Sequence, residues 1–230
     1  MVETLDAYKQ RTVFMWDSLP QSGCFFTNDN LRNKVTDDGK FKPFYGDTVI
    51  FSLDKDAITW LSQIQNETYR LCGNILSDKL NPATFHITLH DLKSNPYSMP
   101  NDVKGNEHRA VELIEYIKKN YRNGINLNSR CVFSMVGTSI VMGFDPATQE
   151  DCNILMNLYE EFQSIVPLSY PLTLHTTIAY YKPGNYDENT LWTLRNSFDA
   201  VRKEPRKFRL DLNKLNYATF SSMDSYSLIL

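Results

Sequence analysis

Apolar residues recur at helical spacing in four stretches of the chain and run together in short segments between them. Ile58, Leu61, Ile64 and Tyr69 form one stripe. It predicts an amphipathic helix from an N-cap at Asp54 to about Cys72, with Gly73 as its stop. Val111, Leu113, Ile114, Ile117 and Tyr121 form a second stripe, which starts at Asn106 or Glu107 and is closed by Asn123-Gly124. A third helix, opened by Asp145-Pro146, carries Ile154, Leu155, Leu158, Phe162 and Ile165. A fourth, capped near Asp187, carries Leu191, Leu194, Phe198 and Val201. A shorter helix is expected from Thr4 to Ser18. The β-branched and aromatic runs predict strands at Asp47 to Leu53, Thr84 to Leu89, Ile125 to Leu127, Cys131 to Val136, Ser139 to Phe144 and Thr173 to Tyr180. Three more follow at Phe208 to Leu212, Leu215 to Phe220 and Tyr226 to Leu230. Residues 21–46 and 91–105 are rich in turn formers and read as irregular.

The order strand, helix, strand, helix therefore occurs twice. That is an α+β pattern with a weak internal duplication, and short links between neighbouring strands favour antiparallel pairing. The second strand of each half carries the chemistry. One reads Phe85-His86-Ile87-Thr88-Leu89-His90. The other reads Leu174-His175-Thr176-Thr177-Ile178, 89 residues further on (175 minus 86). The chain has four histidines, and two of them head these matched tripeptides.

On a strand, residues i and i+2 share a face, roughly 6–7 Å apart. His86 is thus paired with Thr88, and His175 with Thr177. Two such strands side by side present two imidazoles and two hydroxyls around one space. That set suits a phosphodiester. One group takes a proton from the attacking oxygen and another gives one to the leaving oxygen, and imidazole serves both near neutral pH. Hydroxyls donate to the non-bridging oxygens. Regular alternation also puts His90 on the His86 face, to reach the cleft mouth or equally to end the strand at the surface, and Tyr181 on the His175 face, to stack on a base or simply to pack. His86 and His90 have the spacing of a zinc helix, but on a strand they lie roughly 13 Å apart, so no metal site is expected. Two hydrogen-bonded structural histidines remain the alternative reading of the pair.

The two motifs resemble the His-apolar-Ser/Thr-apolar pair of the 2H phosphoesterase superfamily, which includes cyclic phosphodiesterases and 2′-5′ RNA ligase-like proteins. The likeness in element order covers about residues 46–230. It implies a single bilobal domain there, with two antiparallel sheets facing a central cleft, helices outside and a pseudo-twofold relation. Residues 1–45 lie outside the likeness, as an amino-terminal extension that could be a lid. The resemblance also implies that His86 and His175 are acid and base, that Thr88 and Thr177 bind phosphate, and that no cofactor is needed. The ligand would be a cyclic or 2′-5′-linked nucleotide or RNA end. Two departures stand out. Thr176 occupies an apolar position, where its hydroxyl needs a partner. Tyr180 and Tyr181 stand where many relatives carry an arginine.

Composition narrows the picture further. A net charge of −3 and a pI near 5.8 argue against a long nucleic-acid partner. The basic run Arg202, Lys203, Arg206, Lys207 and Arg209 keeps an RNA-end-joining role open, and a solvated surface explains it as well. Cys24, Cys72, Cys131 and Cys152 show no paired spacing and read as free, mostly buried thiols. With no signal-like segment and no long apolar run, a cytoplasmic monomer without membrane contact is expected. His108, at a helix start, reads as solvated. The function expected is metal-independent phosphodiester hydrolysis, and the alternative is a protein that binds the same ligand without cleaving it.

Overall fold

The structure is a computed structural model that describes residues 3–16, 19–101, 103–121, 124–201 and 205–230. Among the described residues five α-helices, α1 (Leu5–Trp16), α2 (Lys55–Cys72), α3 (Val103–Asn120), α4 (Gln149–Gln163) and α5 (Glu188–Ala200), surround two four-stranded sheets. The first sheet has the order β10-β9-β2-β3, from β2 (Tyr45–Ser52), β3 (His86–Asn95), β9 (Leu215–Ser222) and β10 (Ser225–Leu228). The second has the order β6-β5-β4-β8, from β4 (Ile125–Met135), β5 (Ser139–Pro146), β6 (His175–Tyr180) and β8 (Lys207–Leu210). Every pairing is antiparallel. A two-residue ladder joins β1 (Phe25–Phe26) to β7 (Asn185–Tyr186). The expected architecture of two antiparallel sheets with outer helices is borne out.

The helices start where short side chains meet their orphan N–H groups. Asp54 accepts from the Ala57 N–H at 2.7 Å, and Asp187 accepts from the Thr190 N–H at 2.9 Å. The third helical stripe begins later than the sequence suggests. Asp145-Pro146 close strand β5, and Thr148 is the cap, taking the Asp151 N–H at 3.1 Å. Neighbouring strands override local turn chemistry in two more places. Asp91 to Asn95 continue β3 because Tyr45 to Thr48 offer a ladder. The runs 125–127 and 131–136 merge into β4 because β8 pairs with its first part, and the unpaired residues between them form a bulge against β5. The closing Asn123 and part of the basic run, Arg202 and Lys203, lie outside the described residues.

The amino-terminal stretch joins the main core. Tyr8, Leu31 and Val35 are essentially inaccessible, and Phe25 packs edge-on to Tyr181, with ring centroids 5.0 Å apart. Tyr8 sits inside the second sheet's ladder. Phe144 N–H bonds to Leu174 O at 3.0 Å, but the return bond is interrupted: the Leu174 N–H donates to the Tyr8 hydroxyl at 3.0 Å, which donates to Phe144 O at 3.0 Å. Helix α1 is thus fastened to the residue just before His175.

No helix is long and apolar enough to cross a membrane among the described residues. Cys72 and Cys152 are buried, Cys24 is exposed and none of the four cysteines forms a disulfide.

Candidate active site

Strands β3 and β6 are edge strands of different sheets, and they meet at the centre of the molecule. Thr176 joins them: its hydroxyl donates to the His86 carbonyl at 3.0 Å. The departure from an apolar residue in the second motif thereby has its partner, and that partner is the first motif. Between the sheets lies a cleft of about 970 Å³. His86, Thr88, His175 and Thr177 all line it.

The two histidines are held alike. His86 Nδ1 is 2.7 Å from Thr84 O, and His175 Nδ1 is 2.8 Å from Thr173 O. A carbonyl only accepts, so Nδ1 carries the hydrogen of each neutral ring, and Nε2 keeps its lone pair for another partner. Burial holds both imidazoles below their ordinary pKa. The carbonyl bonds and the charge of Asp91 work the other way in both, and a charge on His175 lowers His86 further. A first proton therefore discourages a second, as a pair that divides acid and base roles requires.

A bulge directly follows each motif. In β3 the partners Ile50↔Thr88 and Val49↔His90 skip Leu89; in β6 the partners Val141↔Thr177 and Ile140↔Ala179 skip Ile178. Leu89 and Ile178 have the same offset as the two histidines. The extra residue resets the alternation of faces. Asp91 and Tyr180, at matched positions, then line the cleft, and Tyr181 does not.

One expectation from regular alternation, Tyr181 in the cleft, is corrected by this. Tyr181 is fully buried away from the cleft against Phe25. His90 does line the cleft, but as a buried ring 1% exposed, 4.9 Å from Tyr159 and 6.1 Å from Phe162. His108 is exposed beside Glu112, as expected. Arg206, Lys207 and Arg209 do not line the cleft.

Other cleft groups escaped the motif analysis. Asp91 accepts the Tyr170 hydroxyl at 2.9 Å. Tyr226, from the opposite edge of the first sheet, packs on His86 with centroids 4.8 Å apart, so that sheet is strongly curled. Arg11, Met15, Lys34 and Phe44 bring the amino-terminal stretch to the cleft. Among the described residues no group of three or more His, Cys, Asp or Glu side chains is placed to hold a metal ion.

Sequence comparison finds no family model and no curated protein that matches the chain. Comparison of structures does find relatives. A conserved protein of unknown function from Agrobacterium tumefaciens, ATU0111, superposes with a TM-score of 0.62 at 14% identity, covering 96% of this chain and 98% of its own. TT0787 of Thermus thermophilus gives 0.53 at 10% identity, over 80% of this chain and 94% of its own. Escherichia coli LigT, solved in complex with 3′-AMP, gives 0.51 at 11% identity, over 81% of this chain and 96% of its own. The chain has the LigT-like fold. The likeness to 2H phosphoesterases drawn from the two motifs is therefore borne out at the level of fold. The 96% match takes in most of residues 1–45 as well, which the motif-based likeness left out.

The depressed imidazoles in this LigT-like cleft make stability depend on pH. Unfolded histidine titrates near 6.5. His86, His90 and His175 titrate lower when folded. Below about pH 6.5 the unfolded chain binds protons that the folded chain resists, so stability falls as pH falls, until the folded values are reached. Sulfate keeps its charge across this range and offers a protonated pair a counter-ion. The Tm should drop between pH 7.5 and 5.5, and sulfate should raise it more at 5.5 than at 7.5. An equal sulfate effect at both pH values would show that the pair is no anion site.

Proposed function

We propose that this chain is a metal-independent phosphodiesterase of the 2H type, acting on a 2′,3′-cyclic or 2′-5′-linked nucleotide or RNA end. The observation that carries the reading is the matched pair of Nδ1-anchored histidines, each followed by a cleft-facing threonine, on two strands that meet in one cleft. In this scheme one Nε2 takes a proton from water as its oxygen attacks phosphorus. The other imidazolium gives its proton to the departing ribose oxygen. Water supplies the new P–O bond and the ring P–O bond breaks. Thr88 and Thr177 donate to the non-bridging oxygens, where the charge grows. The LigT complex with 3′-AMP supports a nucleotide as the ligand. Residues 1–45 contribute four of the cleft-lining side chains, which supports a role for that stretch in what the cleft admits, as a wall or lid.

The test is incubation with EDTA against nucleoside 2′,3′-cyclic phosphates, 2′-5′ oligoadenylates and cyclic oligonucleotides, followed by chromatography. Cleavage that persists in EDTA is expected for at least one class. Cleavage that EDTA abolishes would overturn the mechanism. Ligands bound and recovered intact would replace it with the binding-protein reading.

A further inference from the structure

From Lys34 and the aromatic wall that leads to it, we infer that the cleft holds a second anionic subsite, which takes a further phosphate of the nucleotide whose scissile phosphate lies at the histidines. The inference rests on the proposed function and narrows its substrate class.

The wall is continuous. His86 packs on Tyr226 at 4.8 Å, Tyr226 on Phe220 at 5.4 Å, and Phe220 stacks on Phe44 at 6.1 Å with the planes 10° apart. The Lys34 ammonium lies 4.9 Å from the Phe44 ring centre. All five side chains line the cleft. A Cβ at Gly46 would fall 2.4 Å from Phe220 Cζ, so glycine is what lets this ring lie down in the wall. The chain at Lys34 is well anchored: Leu31 and Val35 are buried on either side, and Val35 bridges to Phe41.

Lys34 is the cleft cation in want of a partner. The cleft-lining cations are Arg11, Lys34 and Lys93. Arg11 is committed to Glu3 at 2.8 Å and to Leu172 O at 2.8 Å. Lys93 is exposed, where water meets its charge. Lys34 is half-buried, and among the described residues no carboxylate stands within ion-pair distance of it. Burial pushes its amine below the ordinary value, and the charge of Asp91 opposes this. Asp91 also acts on both histidines, so Lys34 and the catalytic pair share one electrostatic compartment. A desolvated ammonium under these conditions gains most from an anion brought by the ligand. A nucleotide with its 3′ end at the histidines brings one at its 5′ side. That anion is either a terminal 5′-phosphate or the next phosphodiester of a chain.

Stable product-like ligands test this without turnover. Calorimetry would compare 3′-AMP, adenosine 3′,5′-bisphosphate and a 3′-phosphorylated dinucleotide on the wild-type protein, K34Q and K34R. The second phosphate should tighten binding by about tenfold or more, the size of one charge-assisted contact. That gain should vanish in K34Q, survive in part in K34R and shrink with added salt. A gain with the bisphosphate points to a terminal 5′-phosphate, and a gain with the dinucleotide alone points to a chain phosphodiester. If 3′-AMP binds and neither second phosphate helps, or if K34Q keeps the gain, the subsite is refuted and the proposed function stands. If none of the three binds, the proposed ligand class falls, and this inference with it.

Discussion

Alanine at His86 or His175 is expected to lower kcat by about 10²–10⁴-fold, the usual worth of a positioned acid or base. Both protons move in the same displacement, so the double variant should lose little more than either single one. Folding should survive. Both rings are half-buried, and H86A gives up a ring contact with Tyr226 worth about 0.5–1.5 kcal/mol. The pH profiles of the residual activity would assign the roles. A base must be neutral, so its loss removes the acidic limb. An acid must be protonated, so its loss removes the alkaline limb. Both limbs should lie toward the acid side of ordinary histidine, since burial depresses both imidazoles. Wild-type turnover by both alanine variants would mean that the pair is structural and the chemistry lies elsewhere.

The histidine pair was legible because histidine is scarce in this chain and the tripeptide recurs at matched places in two similar halves. Period-two alternation sufficed for His86, Thr88, His175 and Thr177. It failed one step later in both copies and for one cause. Each strand inserts a residue directly after its threonine, and β3 inserts another between Asp91 and Ser94, so regular alternation no longer assigns the faces beyond Leu89 and Ile178. Alternation thus puts Tyr181 in the cleft where Tyr180 stands, and passes over Asp91, the exposed lining residue beside the buried His90. The bulges depend on pairing with β2 and β5, and no local residue pattern announces them. The end of β3, the merger of β4 and the start of α4 were missed for a similar reason: a partner strand sets each boundary, while turn-forming residues at those positions suggest otherwise. The aromatic wall from Tyr226 to Phe44 joins residues from opposite ends of the chain, which only the curl of the first sheet brings together.

Tyr8→Phe should destabilise the protein by about 2–4 kcal/mol, although by sequence the site lies in an amino-terminal extension outside the two-motif domain. The hydroxyl occupies a gap in the β5–β6 ladder, accepting from Leu174 N–H and donating to Phe144 O. Phenylalanine keeps the ring and strands both backbone groups in the interior, where each unmet group costs about 1–3 kcal/mol. Tyr8→Ala adds the cavity of a fully buried ring and should cost more, about 3–5 kcal/mol for the lost packing. Chemical denaturation of the two variants measures both. Because Leu174 directly precedes His175, Tyr8→Phe should also lower kcat in the folded fraction, with the larger loss there and a smaller one in KM. The same geometry says that deleting α1 would destabilise the fold before it altered substrate choice. A Tyr8→Phe variant within about 0.5 kcal/mol of wild type, the range of a neutral surface change, would show that the ladder closes without the hydroxyl and that α1 is separable from the site.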